Sequence, residues 1–208
     1  RKDDSELWLA ANSFIRKRKE SGYISELQNK YFRKNGSAVQ KKNTSSFVAR
    51  EGQISPYDEI FKKTGKKYGI DWRMLAALAY QESQFNAQAR SYVGAAGIMQ
   101  LMPETAAHLG VIDIDNPAEN INAGARYLRT LMDHFGNGVR QKEKIKMALA
   151  AYNVGFSHIE DARKLAARVD LDPDRWSGHV EKAAQMLKQH KYAREARYGY
   201  FRCDVTLK

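Results

Sequence analysis

The chain has 208 residues, of which 43% are hydrophobic, enough for one well-buried globular domain with an appendage. It contains no apolar run near the roughly 18–20 residues of a membrane-spanning helix, and its single cysteine, Cys203, excludes an internal disulfide and a thiolate metal cluster. The net charge is +11, and most of it lies in residues 1–50, which hold 12 Lys or Arg against 5 Asp or Glu.

Residues 1–34 are predicted to form a helical hairpin. Apolar residues recur at helical spacing on both sides of Gly22, which suits the end of the first helix. Residues 35–54 are polar and basic, with scattered Ser, Gly and Asn and no sustained periodicity. We therefore expect a flexible basic linker there, followed by a folded domain at 55–208 that includes a C-terminal tail.

The domain at 55–208 is predicted to be mainly α-helical. Capping residues and apolar positions recur at helical spacing, and no segment before Lys191 alternates like a strand. The expected helices, in chain order, are 55–68 with Ser55 as cap, 71–85 capped by Asp71, 116–136 begun by Asn116 and Pro117, one that ends at Gly155, one opened by a capping box at Ser157 and Glu160, and one that carries Val180, Ala184 and Leu187.

One carboxyl group falls on an apolar helical stripe. Leu75, Leu78, Ala79 and Glu82 recur at i, i+3, i+4 and i+7 of the second predicted helix. An ionised carboxylate there is costly, so the group either finds a partner or keeps its proton at neutral pH. A retained proton would make Glu82 a general acid, whereas a glutamate near a helix end is ordinarily just solvated.

Two further stretches accompany this glutamate. Residues 94–103 read GAAGIMQLMP, in which glycines permit close approach of the backbone and Gln100 lies among apolar neighbours. Residues 150–155 read AAYNVG. Together with Glu82 and Ser83, these stretches resemble the motifs of the soluble lytic transglycosylase family, including its AYNxG motif. The resemblance covers about residues 55–192 and implies a lysozyme-like, goose-type helical domain with a saccharide groove.

The same resemblance implies roles for individual residues. It makes Glu82 the catalytic acid and base, and it places Ser91, Gln100, Met102, Tyr152 and Asn153 at the substrate, with Tyr152 close to the carboxyl group. Taken alone, Met102 is more readily explained as a core residue, Tyr152 as a buried aromatic residue and Ser91 as a loop residue. We expect no cofactor and no metal, because no cluster of potential ligands has metal-site spacing.

The N-terminal segment carries a weaker resemblance. Residues 21–32 are similar to the last helices of a periplasmic solute-binding domain of the amino-acid type. Such a domain followed by a transglycosylase domain is the layout of the F-type membrane-bound lytic murein transglycosylases. This implies a periplasmic location, with attachment to the outer membrane through an N-terminal part that this chain lacks. Peptidoglycan glycan strands would be the partner, and the oligomeric state stays open.

The predicted reaction needs only one carboxyl group. Glycoside hydrolases use two, but residues 84–103 contain no Asp or Glu, and Glu104 better suits the start of a helix. We therefore predict that Glu82 protonates the oxygen between MurNAc and GlcNAc and then accepts the proton of the C6 hydroxyl, which gives 1,6-anhydroMurNAc ends.

Three alternatives stay open at this point. The first is a lysozyme-type hydrolase on the same fold, with Asp113 or Asp115 activating water. The second is a non-catalytic module that binds the cell wall through the groove. The third, a nucleic-acid binder, rests on charge alone; no nucleic-acid motif is recognisable, and we expect no such partner.

Overall fold

The computed structural model describes Ser13, residues 53–194 and residues 196–198. The chain divides into two units, Arg1–Ser46 and Phe47–Lys208, and the helices that follow belong to the second unit. Apart from Ser13, the predicted hairpin at 1–34 lies outside the described residues, as do most of the predicted linker at 35–54 and the end of the tail. Those assignments and the domain boundaries therefore stay predictions.

The described part of the second unit is built of helices. They are α1 (Asp58–Tyr68), α2 (Trp72–Ser83), α3 (Pro103–His108), α4 (Pro117–His134), α5 (Gln141–Val154), α6 (Phe156–Arg168), α7 (Glu181–Met186) and α8 (His190–Ala193), with a kinked helical turn at Trp176–Val180. Within the described residues no strand forms, and isolated bridges join Arg90 to Ala96 and Ala96 to Leu101. The mainly α fold class is thus confirmed. None of the described helices is both long and apolar enough to cross a membrane.

Several predicted helix boundaries are confirmed by hydrogen bonds. The Asp71 side chain accepts from Arg73 N at 2.9 Å, and Asn116 accepts from Ala118 N at 2.9 Å, so both residues cap their helices as expected. The cap predicted at Ser55 is met only in part: Ser55 Oγ accepts from Tyr57 N at 3.1 Å and Asp58 accepts from Ser55 N at 2.7 Å, but α1 itself begins at Asp58 after an N-cap at Tyr57.

Two boundary predictions are wrong. Ser157 does not open a capping box, since α6 begins at Phe156 directly after Gly155, and Glu160 pairs with Arg163 at 2.7 Å instead. The helix that carries Glu82 ends at Ser83 and not at Phe85, because Gln84 and Phe85 take left-handed backbone angles, with φ of 53° and 65°. Phe85, which was expected to be the last residue of this helix, is instead buried in the core.

Helix α4 lies at the centre of the packing. It contacts α1 on one side and α5 on the other, while α2 packs on α1 and α6 packs on α5. Its buried face reads Ile121, Ala125, Leu128 and Met132, spaced as the sequence predicts. Gly124 interrupts that face because a Cβ there would meet the Met99 side chain at 2.7 Å, so the loop after α2 approaches α4 closely at this point.

That loop, residues 84–102, is held against α4 by one buried side chain. Asn120 is only 1% exposed, and its Oδ1 accepts from Met99 N at 2.8 Å. Its Nδ2 donates to Ala96 O at 3.2 Å and to Ile114 O at 2.9 Å. Gly97 packs directly on this amide with φ of 78°, so a single asparagine satisfies the backbone of two loop segments.

The loop supplies a matched pair of glycine substitutions. Gly94 and Gly97 both have positive φ, but a Cβ on Gly94 meets no atom within 4 Å, whereas one on Gly97 would lie 2.1 Å from Asn120 Nδ2 and 2.6 Å from Ile114 O. Gly94→Ala should therefore lower the free energy of unfolding by about 1–2 kcal/mol, the cost of a left-handed residue. Gly97→Ala should lower it by about 1–3 kcal/mol more, because Asn120 must move. Urea denaturation measures both; equal losses would contradict this account of the loop.

Candidate active site

Glu82 lies in the last turn of α2, at the edge of the loop 84–102. Its side chain is partly buried, and its carboxyl group makes no hydrogen bond or ion pair with any residue that the structure describes. Burial raises the pKa of Glu82 above the ordinary value of 4.5. The sequence left open whether this group finds a partner or keeps its proton, and no partner lies among the described residues.

The end of α2 fixes the direction of this carboxyl group. Ser83 Oγ donates to Ile98 O at 2.7 Å, which ties the helix end to the far side of the loop. Gln84 ends the helix with its N–H donating to Tyr80 O, and Phe85 inserts between Phe61 and Tyr80 with ring centroids 6.3 and 5.5 Å away. Two consecutive left-handed residues are strained, and the burial of Phe85 offsets that strain.

Tyr152, in the last turn of α5, closes the other side of the site. Its hydroxyl donates to Met99 O at 2.8 Å, and its ring lies 5.3 Å from that of Tyr127. Burial, and after it the nearby Glu82 carboxyl and Tyr127, raise the pKa of Tyr152 well above its ordinary value, so the hydroxyl stays protonated. Tyr152 and Glu82 are thus electrostatic neighbours, while the hydroxyl is engaged with the loop backbone.

Gln100 and Ser91 hold the loop through their own side chains. Gln100 has a left-handed φ of 46°, and its Nε2 donates to Gly97 O at 2.9 Å and Ala89 O at 3.2 Å. Ser91 Oγ accepts from Ala95 N at 2.9 Å, which leaves its hydroxyl hydrogen able to donate. Both residues lie on the loop that starts beside Glu82, and each has a structural role there besides the predicted one at the substrate.

Met102 and Asn153 are less engaged. Met102 precedes α3 with 43% of its surface exposed, so the expectation that it could be a core residue is not met. Asn153 is exposed near the end of α5, and its side chain forms no hydrogen bond within the described part of the chain. The contacts that the sequence predicts between the substrate and five residues stay predictions. These residues are Ser91, Gln100, Met102, Tyr152 and Asn153.

The structure places two further residues, Asn120 and Tyr127, at the site, and neither was predicted from the sequence. Asn120 positions the loop, and Tyr127 packs on Tyr152, with its own pKa raised by burial. Asn120 carried the same signal as Glu82, a polar side chain on the buried stripe of a helix, one turn before Gly124. That signal does not reveal which backbone segment such a group binds, because the partner lies 21 residues away.

The alternative second carboxylates are engaged elsewhere. Asp115 pairs with Arg90 at 2.7 Å, and the hydrogen bond from Arg90 lowers the pKa of Asp115. Asp113 is exposed and accepts from the backbone N–H of Asp115 at 3.0 Å. Asp113 stabilises the turn before α4, and Asp115 links this turn to Arg90 of the loop 84–102. Both carboxylates therefore have a structural role. Within the described residues, no group of three or more potential ligands could hold a metal ion.

The sequence of the chain is similar to those of known proteins. The chain is 40% identical over 203 residues to a membrane-bound lytic murein transglycosylase F of Aeromonas salmonicida, covering 96% of this chain and 40% of that protein. It is 38% identical to the protein of the same name from Vibrio cholerae, covering 98% of this chain and 38% of that protein. The chain therefore spans about two fifths of the length of these relatives.

The chain is also similar to a solved structure and matches a family model. The lytic transglycosylase Slt of Pseudomonas aeruginosa, crystallised as an inactive mutant, aligns with a TM-score of 0.45 and 26% identity, covering 74% of this chain and 26% of that one. The model of the transglycosylase SLT domain matches residues 59–172, more than half of the chain. This match includes Glu82, the loop 84–102 and Tyr152, and the chain belongs to the transglycosylase SLT domain family.

Proposed function

We propose that this chain is the catalytic part of a peptidoglycan lytic transglycosylase. It cleaves the β-1,4 bond between MurNAc and GlcNAc in glycan strands and leaves 1,6-anhydroMurNAc ends. The observation that carries the proposal is the Glu82 carboxyl group, which is partly buried, unpaired among the described residues and raised in pKa. Membership in the transglycosylase SLT domain family and the names of the relatives support the same activity.

The chemistry uses Glu82 twice. As an acid it donates its proton to the bridging oxygen, and the bond from that oxygen to C1 of MurNAc breaks. The C6 hydroxyl oxygen of the same sugar then bonds to C1, and the Glu82 carboxylate accepts the hydroxyl proton. The acid is regenerated and no water is consumed. A nucleophile on the same sugar gains from proximity, so the reaction does not require a second carboxylate.

The surrounding residues would act by position. The hydroxyl of Tyr152 donates to Met99 O, and its proposed effect is to hold the loop backbone in place beside Glu82. Ser91, Gln100, Met102 and Asn153 are proposed to contact the sugars. We place this activity in the periplasm, where peptidoglycan lies, and the relatives are named membrane-bound.

Replacing the proposed acid tests the assignment directly. Glu82→Gln keeps the shape of the side chain but cannot exchange a proton, so release of soluble fragments from purified sacculi should fall by about 100-fold or more. Glu104→Gln, which removes an exposed carboxylate at the start of α3, is the control and should cleave like the parent. Clear lysis by a folded Glu82→Gln protein would remove Glu82 from the mechanism.

The same variant tests the raised pKa through stability. A carboxyl group whose pKa is higher in the folded than in the unfolded state destabilises the fold once the pH exceeds its unfolded value, and the loss grows until the folded pKa is passed. Glu82→Gln should therefore be more stable than the parent at pH 7, and the difference should vanish below about pH 4. Urea denaturation at both pH values measures this. A variant less stable at pH 7 would mean that the carboxylate has a favourable partner.

The origin of the new chain end tests the reaction type. Digestion of sacculi in water enriched in heavy oxygen should give muramoyl ends that carry no label and are lighter by one water than hydrolytic ends. Mass spectrometry of the soluble fragments reads both properties at once. Heavy oxygen at C1 of most products would instead identify a lysozyme-type hydrolase, in which a carboxylate activates water.

A further inference from the structure

The tip of the loop 84–102 presents two apolar side chains to solvent. Residues 91–94, the tip turn, form a tight turn in which Gly94 N donates to Ser91 O at 3.1 Å. The central residues of this turn are Tyr92, which is 101% exposed, and Val93, which is 55% exposed. Tyr92 is therefore not buried at all, and Val93 is buried only in part.

These residue types do not serve the turn itself. Central positions of tight turns favour Pro, Asn, Asp, Ser and Gly, whereas Tyr and Val favour strands, where their side chains pack on neighbours. A choice that conflicts with local preference and leaves an aromatic ring fully in water is typical of a functional position. Neither burial nor turn preference therefore explains why Tyr92 and Val93 occupy these positions.

The tip turn is held in place before any ligand arrives. Two hydrogen bonds join Ser91 to Ala95: Ser91 N donates to Ala95 O at 2.9 Å, and Ala95 N donates to Ser91 Oγ at 2.9 Å. At the base of the turn, Arg90 pairs with Asp115, and Ala96 O accepts from the buried Asn120. A ring presented on such a support loses little conformational freedom on binding.

We propose that Tyr92, with Val93 beside it, binds the glycan strand outside the reacting sugars, the tyrosine ring packing on the C–H face of an N-acetylhexosamine ring. This rests on the proposed function, which supplies the strand. The tip turn belongs to the same loop as Gln100 and begins at Ser91, so it continues the surface assigned to the substrate. Tyrosine suits a sugar, because the apolar face of its ring can pack on the C–H face of the sugar ring.

Such a contact lies away from the bond that breaks and acts equally on the bound substrate and the transition state. It should therefore change the KM and leave the kcat nearly unaltered. Tyr92→Ala should weaken binding of long glycan strands about three- to tenfold, the effect of losing one aromatic contact. Tyr92→Phe should bind like the parent, because the ring is retained.

The experiment measures the Kd in a Glu82→Gln background, where strands stay uncut, with peptide-free glycan strands as the probe. Ile112→Ala is the matched control, since Ile112 is 94% exposed and lies outside the loop 84–102. We expect Tyr92→Ala to weaken binding and both Tyr92→Phe and Ile112→Ala to bind like the parent. Steady-state cleavage by Tyr92→Ala with Glu82 intact should show a raised KM at unchanged kcat.

Four results would overturn the proposal: an unchanged Kd in Tyr92→Ala, an equal loss in Ile112→Ala, an equal loss in Tyr92→Phe, or a fall in kcat without a change in KM. A change in the solution mass of the protein on Tyr92→Ala would also overturn it, by assigning the turn to a contact between two copies of the chain. Because the Kd needs no cleavage, these results are distinct from a failure of Glu82 as the acid.

Discussion

The peptide groups of Met99 are held from two helices at once, and the site depends on this arrangement. Asn120 of α4 accepts from Met99 N, and Tyr152 of α5 donates to Met99 O. Both bonds are made in or next to the core, where an unsatisfied backbone group would be costly. The loop 84–102 therefore cannot shift relative to α4 and α5 without losing them. Gly97 and Gly124 are glycines because the loop lies this close.

Glu82 differs from Asp58 and Asp115 in having no hydrogen-bond or ion-pair partner among the described residues. Asp115 is paired with Arg90, and Asp58 is bonded to Ser55, so both carboxylates are held ionised and their pKa values are lowered. Glu82 lies on the partly buried end of α2, where only the loss of water acts on it, and its pKa moves the other way. Asp58 and Asp115 thus have structural roles, whereas Glu82 is the acid that we propose for proton transfer.

The loop 84–102 has a buried, hydrogen-bonded inner segment and an exposed tip. Its inner segment is buried and bonded to α4, while its tip turn carries an aromatic ring into solvent. The side chains of Gln100 and Ser91 stabilise the loop that displays them, so their positions are set before a ligand binds. Preorganised groups of this kind lose little free energy to ordering on binding, which suits the proposed binding of a glycan strand.

Several properties follow from the amino-acid sequence by itself. The helical class, the caps at Asp71 and Asn116 and the apolar stripe with Glu82 follow from local spacing and local hydrogen bonding. Only the tertiary structure decided where the loop lies, because its anchors join residues that are 21 and 53 positions apart along the chain. It also decided that α2 ends at Ser83, since the burial of Phe85 in the core offsets two strained residues, and that Asp115 pairs with Arg90 while Glu82 has no partner among the described residues.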